Sequence, residues 1–111
     1  MSETVSFEDF AKLDLRVGRI VAAERVPETE KLIACTVDFG ELGARTIVSG
    51  IAAYKTPEEL VGKSLLYIVN LAPRVIKGIE SQGMLLALSF GEDNFSLLIP
   101  EGVVPPGTKV R

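Results

Sequence analysis

Histidine is absent from this 111-residue chain, and cysteine occurs once, as Cys35. The missing histidine excludes His-containing zinc sites and histidine-based triads, and a lone thiol can build neither a thiolate cluster nor an internal disulfide. Cys35 lies in an apolar, strand-like run, where cysteine acts as a small buried hydrophobe and not as a nucleophile. Long hydrophobic runs are missing too. Leu65 to Val69 is typical of those present, far below the roughly 18 to 20 residues of a membrane span. Met1 to Ser6 has no basic stretch followed by an apolar core, so it does not read as a secretory signal, and the cytoplasm is the default expectation. Gly62-Lys63-Ser64 resembles the end of a phosphate-binding loop, but Pro57 occupies the position of the earlier glycine and a strand follows instead of a helix. The carboxylate pairs Glu58-Glu59 and Glu92-Asp93 read as helix-start and turn residues. A catalytic reading has no residues to rest on, and no metal or cofactor is expected.

Positive charge is also scarce. The net charge of −3 rules out a surface that binds polyanions all over, and the acidic excess falls early, with Glu3, Glu8, Asp9, Asp14, Glu24, Glu28 and Glu30 facing few cations. A nucleic-acid site must then be a focused patch using few phosphate contacts, with moderate salt dependence. The segment from Asn70 to Met84 fits that description. It sets Arg74 and Lys77, the amides of Asn70 and Gln82, and Gly78 and Gly83 between two apolar runs. The cations can neutralise phosphates, the amides can bond to base or ribose edges, and the glycines let a ligand approach the backbone.

A length of 111 residues and a hydrophobic fraction of 47% accommodate one domain with a real core. Phe7 to Leu13, behind the capping candidate Ser6, suggests one or two helical turns. Arg16 to Arg25 reads as a long strand with a glycine bulge or coil inside it, and Pro27 to Lys31 breaks it. Leu32 to Phe39 alternates apolar and polar residues and turns at Gly40 to Gly43 into Arg45 to Val48. Thr56-Pro57-Glu58-Glu59-Leu60 predicts a short helix, with Thr56 as cap and Pro57 in the first helical position. Leu65 to Val69, Met84 to Phe90 and Phe95 to Ile99 read as further strands. Three strands, a helix and two more strands match an all-β, five-stranded OB-fold barrel with the helix between strands three and four, plus an N-terminal helix and a C-terminal strand extension. The barrel is expected over about residues 14–90. The apolar extension over about 91–111, rich in proline and glycine, is expected to cover the barrel or to meet a second copy, with a homodimer favoured.

Over Phe7 to Val110 the chain resembles the tRNA-binding domain family related to the C-terminal domain of methionyl-tRNA synthetase. The matching stretches are Leu13 to Ile20, Glu30-Lys31-Leu32, Val48-Ser49-Gly50-Ile51, Pro57 to Lys63, Asn70 to Arg74 and Gly78 to Met84. The resemblance implies an OB-fold whose accessory elements pair two copies. It also implies binding to the outer corner of folded tRNA by shape more than by sequence, without catalysis, and possible support of a methionyl-tRNA synthetase. A chain beginning at Met1 with little beyond the domain looks free-standing. The sequence departs from the family pattern at Val75-Ile76, where many relatives carry another cation, and at Val26 to Glu30, which is more acidic than usual. The expected tRNA-contacting residues are Lys31, Asn70, Arg74, Lys77, Ser81, Gln82 and Met84, with Met84 offering an apolar surface to an unstacked base. Arg16 and Lys55 are weaker candidates for the rim. The alternative is a protein-interaction module, either chaperone-like or a docking and dimerisation subunit.

Overall fold

The computed structural model describes residues 3–111. Its first element, α1 (Phe7–Ala11), is capped as expected by Ser6, whose Oγ accepts the Asp9 N–H at 3.1 Å. Strand β1 (Leu15–Arg25) is followed by β2 (Ile33–Asp38), a single 3-10 turn at Gly40–Leu42, and β3 (Ala44–Ser49). Helix α2 (Pro57–Leu60) begins with a complete capping box. Thr56 Oγ1 accepts the Glu59 N–H at 3.2 Å, and the Glu59 carboxylate accepts the Thr56 N–H at 2.9 Å, a bond that holds the Glu59 pKa below its ordinary value. Strand β4 (Ser64–Ile68) then leads into β5 (Arg74–Ile76), β6 (Ile79–Ser81), β7 (Met84–Leu85), β8 (Ala87–Ser89) and β9 (Phe95–Leu97).

Five strands form one antiparallel sheet in the order β3-β2-β1-β4-β7, which curls into a nearly closed OB-like barrel with α2 between its third and fourth strands. The sheet can curl because β1 changes partners along its length. Its first half, Leu15 to Arg19, pairs with β4, and its second half, Arg19 to Arg25, pairs with β2. The register shifts between Ile20 and Ala22, so the bulge falls at Val21 and not at the glycine expected from sequence. Ile20 sits at the changeover, where its N–H donates to Lys63 O at 2.9 Å and its carbonyl accepts the Gly62 N–H at 2.8 Å. Gly18 serves packing instead: a Cβ there would lie 2.5 Å from the Phe39 ring and from Val37.

Side chains pointing inward from alternate positions fill the barrel. Ile33, Val37, Phe39, Ile47, Leu60 and Leu65 are fully buried, and Leu60 brings α2 into the same cluster. Phe39 meets Tyr67 edge-on, with ring centroids 5.3 Å apart. Cys35 lies in this core as expected, and burial pushes its thiol up to about 11.

Two further sequence expectations change. The stretch between β4 and β7 was expected to be a loop, but it contains the β5–β6 hairpin, in which Arg74, Val75 and Ile76 face Ser81, Glu80 and Ile79 across the two-residue turn Lys77-Gly78. Both turn residues have positive φ, 50° and 80°, the signature of a type I′ turn. The strand expected over Met84 to Phe90 divides, because after Leu86 the chain leaves the barrel and β8 pairs with β9. The tail returns to the barrel. Gly107 and Val110 donate to Val17 O and Leu15 O at 2.7 and 2.8 Å, adding a short strand beside the first half of β1.

Candidate nucleic-acid interface

The site lies where two connections meet, the loop from β1 to β2 and the β5–β6 hairpin. Val26, only 4% exposed, anchors the first loop in the core. Its N–H donates to Leu32 O at 3.1 Å and closes the loop, while the Thr29 N–H and hydroxyl both return to Val26 O, at 3.3 and 2.8 Å. Lys31 O accepts the Ala52 N–H at 3.0 Å, which fixes the backbone beneath an exposed Lys31 side chain. The loop is therefore organised before any ligand arrives, and its charged side chains face solvent.

The hairpin is attached through the residues read from sequence as ligand contacts. Ser81 is buried, at 4% exposure, and its Oγ accepts the Val48 N–H at 2.9 Å and donates to Gly83 O at 3.4 Å. Gln82 bonds twice to Thr46: its N–H donates to Thr46 O at 2.9 Å, and its side-chain oxygen accepts the Thr46 N–H at 3.2 Å. These bonds join the free edge of β3 to the chain entering β7, so Ser81 and Gln82 complete the barrel where strand pairing alone does not. Gly83, at φ 148°, lets the same crossing pass close to β4, because a Cβ there would sit 2.9 Å from Ile68 O. Asn70 fastens the other root of the segment. Its Oδ1 accepts the Asp14 N–H at 2.8 Å and its Nδ2 donates to Lys12 O at 2.6 Å, tying the start of the segment to the end of α1.

Lys31, Arg74, Lys77 and Met84 are brought together on one strip. Lys31 and Lys77 border a depression of about 390 Å³ between the loop and the hairpin tip, with Glu28, Thr29, Glu30 and Leu32 as its other walls. Leu32 is shared with a neighbouring groove of about 270 Å³, where Arg74, Ile76 and Met84 line the hairpin side and Val48 to Ile51 the barrel side. Arg74, Lys77 and Met84 are all exposed, Met84 by 45%. The ion pairs among the described residues are Lys12–Asp9 and Arg16–Asp14, so none of the three strip cations is held by a carboxylate. Together these residues offer exposed cations above an apolar floor, a combination suited to phosphates and unstacked bases.

The weaker candidates lie elsewhere. Arg16 donates to both Asp14 oxygens, at 2.8 and 3.3 Å, and to Gly107 O at 3.1 Å, which makes it a fastener of the tail. That hydrogen bond holds the Asp14 carboxyl below its usual range. Lys55 borders neither the depression nor the neighbouring groove. Sequence reasoning missed Leu32 and Ile76 as the floor, and it noted Glu28 and Glu30 as part of an unusually acidic stretch, with Glu30 also in a stretch matching the family, without placing either in the site. Their alternation around the inward-turned Thr29 was the available signal.

Residues 15–109 match the family described as "Putative tRNA binding domain". The chain belongs to this family. It is 48% identical to the methionine–tRNA ligase of Porphyromonas gingivalis over 100% of its own length and 16% of the ligase. Against the ligase of Pyrococcus horikoshii it is 50% identical over 98% of its length and 15% of that protein. The chain thus spans about 16% of the length of the curated relatives it matches. Two solved structures are similar over nearly the whole chain. A methionyl-tRNA-synthetase-related protein of Pyrococcus horikoshii has a TM-score of 0.93 at 40% identity, covering 99% of this chain and 100% of its own. Chaperone CsaA of Bacillus anthracis has a TM-score of 0.89 at 34% identity, covering 98% of this chain and 100% of its own.

Proposed function

We propose that this chain binds folded tRNA without catalysing a reaction, through the strip formed by Lys31, Lys77, Arg74 and Met84, and reads the outer corner of the tRNA by shape. The observation that carries this reading is the continuity, through Leu32, of the depression under Lys31 and Lys77 with the groove under Arg74 and Met84. Lys31, Lys77 and Arg74 contact phosphates, Met84 and Ile76 support an unstacked base, and the free Nε2 of Gln82 is the amide group left for a ribose or base edge. Asn70 and Ser81 contribute by holding the hairpin in place. The 48% identity to a segment of a methionine–tRNA ligase supports a role beside such a synthetase.

Three cations per subunit make a weak site, so two copies presenting one strip each to a single folded RNA would gain affinity through effective concentration. Pairing through α1 and the tail is supported by the exposure there of Phe7, Phe10 and Leu13, none of them buried by the chain itself. Protein interaction as the primary activity is favoured by those same side chains and by the likeness to chaperone CsaA.

The test is binding of the purified protein to folded tRNA and to single-stranded RNA of equal length, at two salt concentrations, with the mass measured by light scattering. Preference for folded tRNA by a dimer is expected. A well-folded protein that binds neither RNA would transfer the assignment to protein interaction.

A further inference from the structure

The depression between the β1–β2 loop and the hairpin tip has walls of both charges: Lys31 and Lys77, but also Glu28 and Glu30. A site built only to hold a phosphodiester backbone has no use for those carboxylates, since carboxylate and phosphate oxygens both only accept hydrogen bonds and repel one another. The backbone adds a second oddity. Glu28 follows Pro27 in a turn closed by the Thr29 N–H on Val26 O, and it has φ 64° at the position where a type II turn takes glycine or asparagine. Lys77 has φ 50° at the first position of the hairpin turn, where asparagine, aspartate or glycine is preferred. Two charged residues therefore stand across one cleft, each in a conformation that disfavours its side chain. Turn chemistry explains neither identity, and such outliers collect where a side chain is needed for function. Thr29, between the two glutamates, turns its hydroxyl back onto Val26 O, so Glu28 and Glu30 are the acceptors left facing the cleft.

We infer that Glu28 and Glu30 are specificity-determining residues of the RNA site. This rests on the RNA-binding reading above and adds a division of labour to it. Lys77 and Arg74 on the hairpin side, with Lys31 where the loop runs into β2, take phosphates. The Glu28 and Glu30 wall of the loop turns away a bare phosphate chain and accepts N–H and O–H donors from exposed base edges or ribose hydroxyls. The ligand class is RNA folded so that its backbone runs along the hairpin while base edges or 2′-hydroxyls point toward the β1–β2 loop. A flexible single strand can bring its phosphates against both walls and meets repulsion at the loop.

The test compares wild type, the Glu28→Gln/Glu30→Gln double variant and Lys77→Ala for binding to folded tRNA, to single-stranded RNA of equal length and to heparin, at fixed salt. Glutamine keeps the size and the backbone demand of glutamate and removes the charge. The double variant is expected to bind single-stranded RNA and heparin about tenfold more tightly and folded tRNA, which loses its charged acceptors, no more tightly than wild type does, so that selectivity falls about tenfold. Glu28→Gly, which relieves the turn, is expected to lose selectivity in the same direction with a melting temperature equal to or above wild type. An unchanged selectivity ratio, in a protein whose tRNA binding is still weakened by Lys77→Ala, would overturn this inference and leave the RNA-binding reading standing. Failure of the wild type to bind any of the RNAs would overturn both.

Discussion

The two ends of β1 treat polar groups in opposite ways. Where the strand begins at Leu15, polar groups are used up in holding the chain together. Arg16 grips Asp14 and Gly107 O, Asn70 bonds to Asp14 and Lys12, and the tail lies along Leu15 to Val17. Beside the exposed charges of Glu8, Asp9 and Lys12, that end leaves large apolar side chains uncovered, with Phe7 79% and Leu13 40% exposed. Roughly 35 Å further on, the length of eleven extended residues, β1 ends at a loop whose backbone is internally bonded and whose charged side chains form no ion pair among the described residues. One end uses Asp14, Arg16 and Asn70 to fasten the chain and uncovers aromatic side chains; the other fixes its backbone and leaves its charges to solvent. A barrel this small can keep the two surfaces apart because both are appended to one strand whose inward side chains lie in the core.

If the ends are independent, damage at the first should cost stability and spare RNA binding. Gly107→Ala is the strongest such change, because its Cβ would meet the Phe39 carbonyl oxygen from a backbone at φ 89°. A loss of about 2–4 kcal/mol is expected in chemical denaturation, from steric overlap plus left-handed strain. RNA affinity measured well below the melting temperature should stay within about twofold of wild type. A parallel fall in affinity would break the comparison. Ser81→Ala tests the bridge between core and hairpin. It leaves the Val48 N–H without its acceptor, at a cost of about 1–3 kcal/mol, and it should speed amide exchange in β5 and β6 more than in β1. Equal acceleration everywhere would mean that the hairpin opens only with the whole barrel.

Lys77→Ala sharpens the comparison from the other side. The side chain is exposed at a turn and alanine keeps the same Cβ at φ 50°, so the melting temperature should hold. Affinity for folded tRNA should fall roughly tenfold, about 1.4 kcal/mol, and the salt slope should drop by about one. Normal affinity in this variant would sink the assignment of the strip.

The barrel was legible in the sequence because its signals are local and agree with one another. Alternation in Ile33 to Phe39, Thr56-Pro57 before Glu59, and Ser6 before Phe7 each foretold the element that is found. The bulge was misplaced because it depends on where α2 returns to bond Ile20, a long-range fact. The hairpin was missed because its turn is Lys77-Gly78 and not the familiar Asn-Gly, and because Pro73 and Gly83 at its flanks read as loop. Residue type identified which side chains matter in the segment from Asn70 to Met84, but not which way they point. Arg74, Lys77 and Met84 face outward, whereas Ser81 and Asn70 are engaged within the fold. An amide or hydroxyl serves a ligand or the backbone equally well, and a single sequence cannot tell the two apart.

Acid offers the smallest and most selective probe. The hydrogen bond from Arg16 lowers the pKa of Asp14 in the folded chain. A depressed carboxyl contributes stability in full above its unfolded pKa, about 4, and that contribution disappears as pH falls through the lower folded value. Asp14→Asn should therefore be less stable than wild type at pH 7, by about 0.5–1 kcal/mol for a pair this exposed, and the difference should shrink below about pH 4. Because Asp14 and Arg16 fasten the tail, the tail should loosen with the same pH dependence, seen as faster amide exchange at Gly107 and Val110. Glu59, also depressed but through the Thr56 N–H of the capping box, would loosen α2 instead, so the amides that respond identify the carboxylate responsible. Acid loosening centred on α2 with the tail unmoved would show that the ion pair at the start of β1 fastens nothing, and that the contrast between the two ends rests on the Gly107 and Val110 backbone bonds alone.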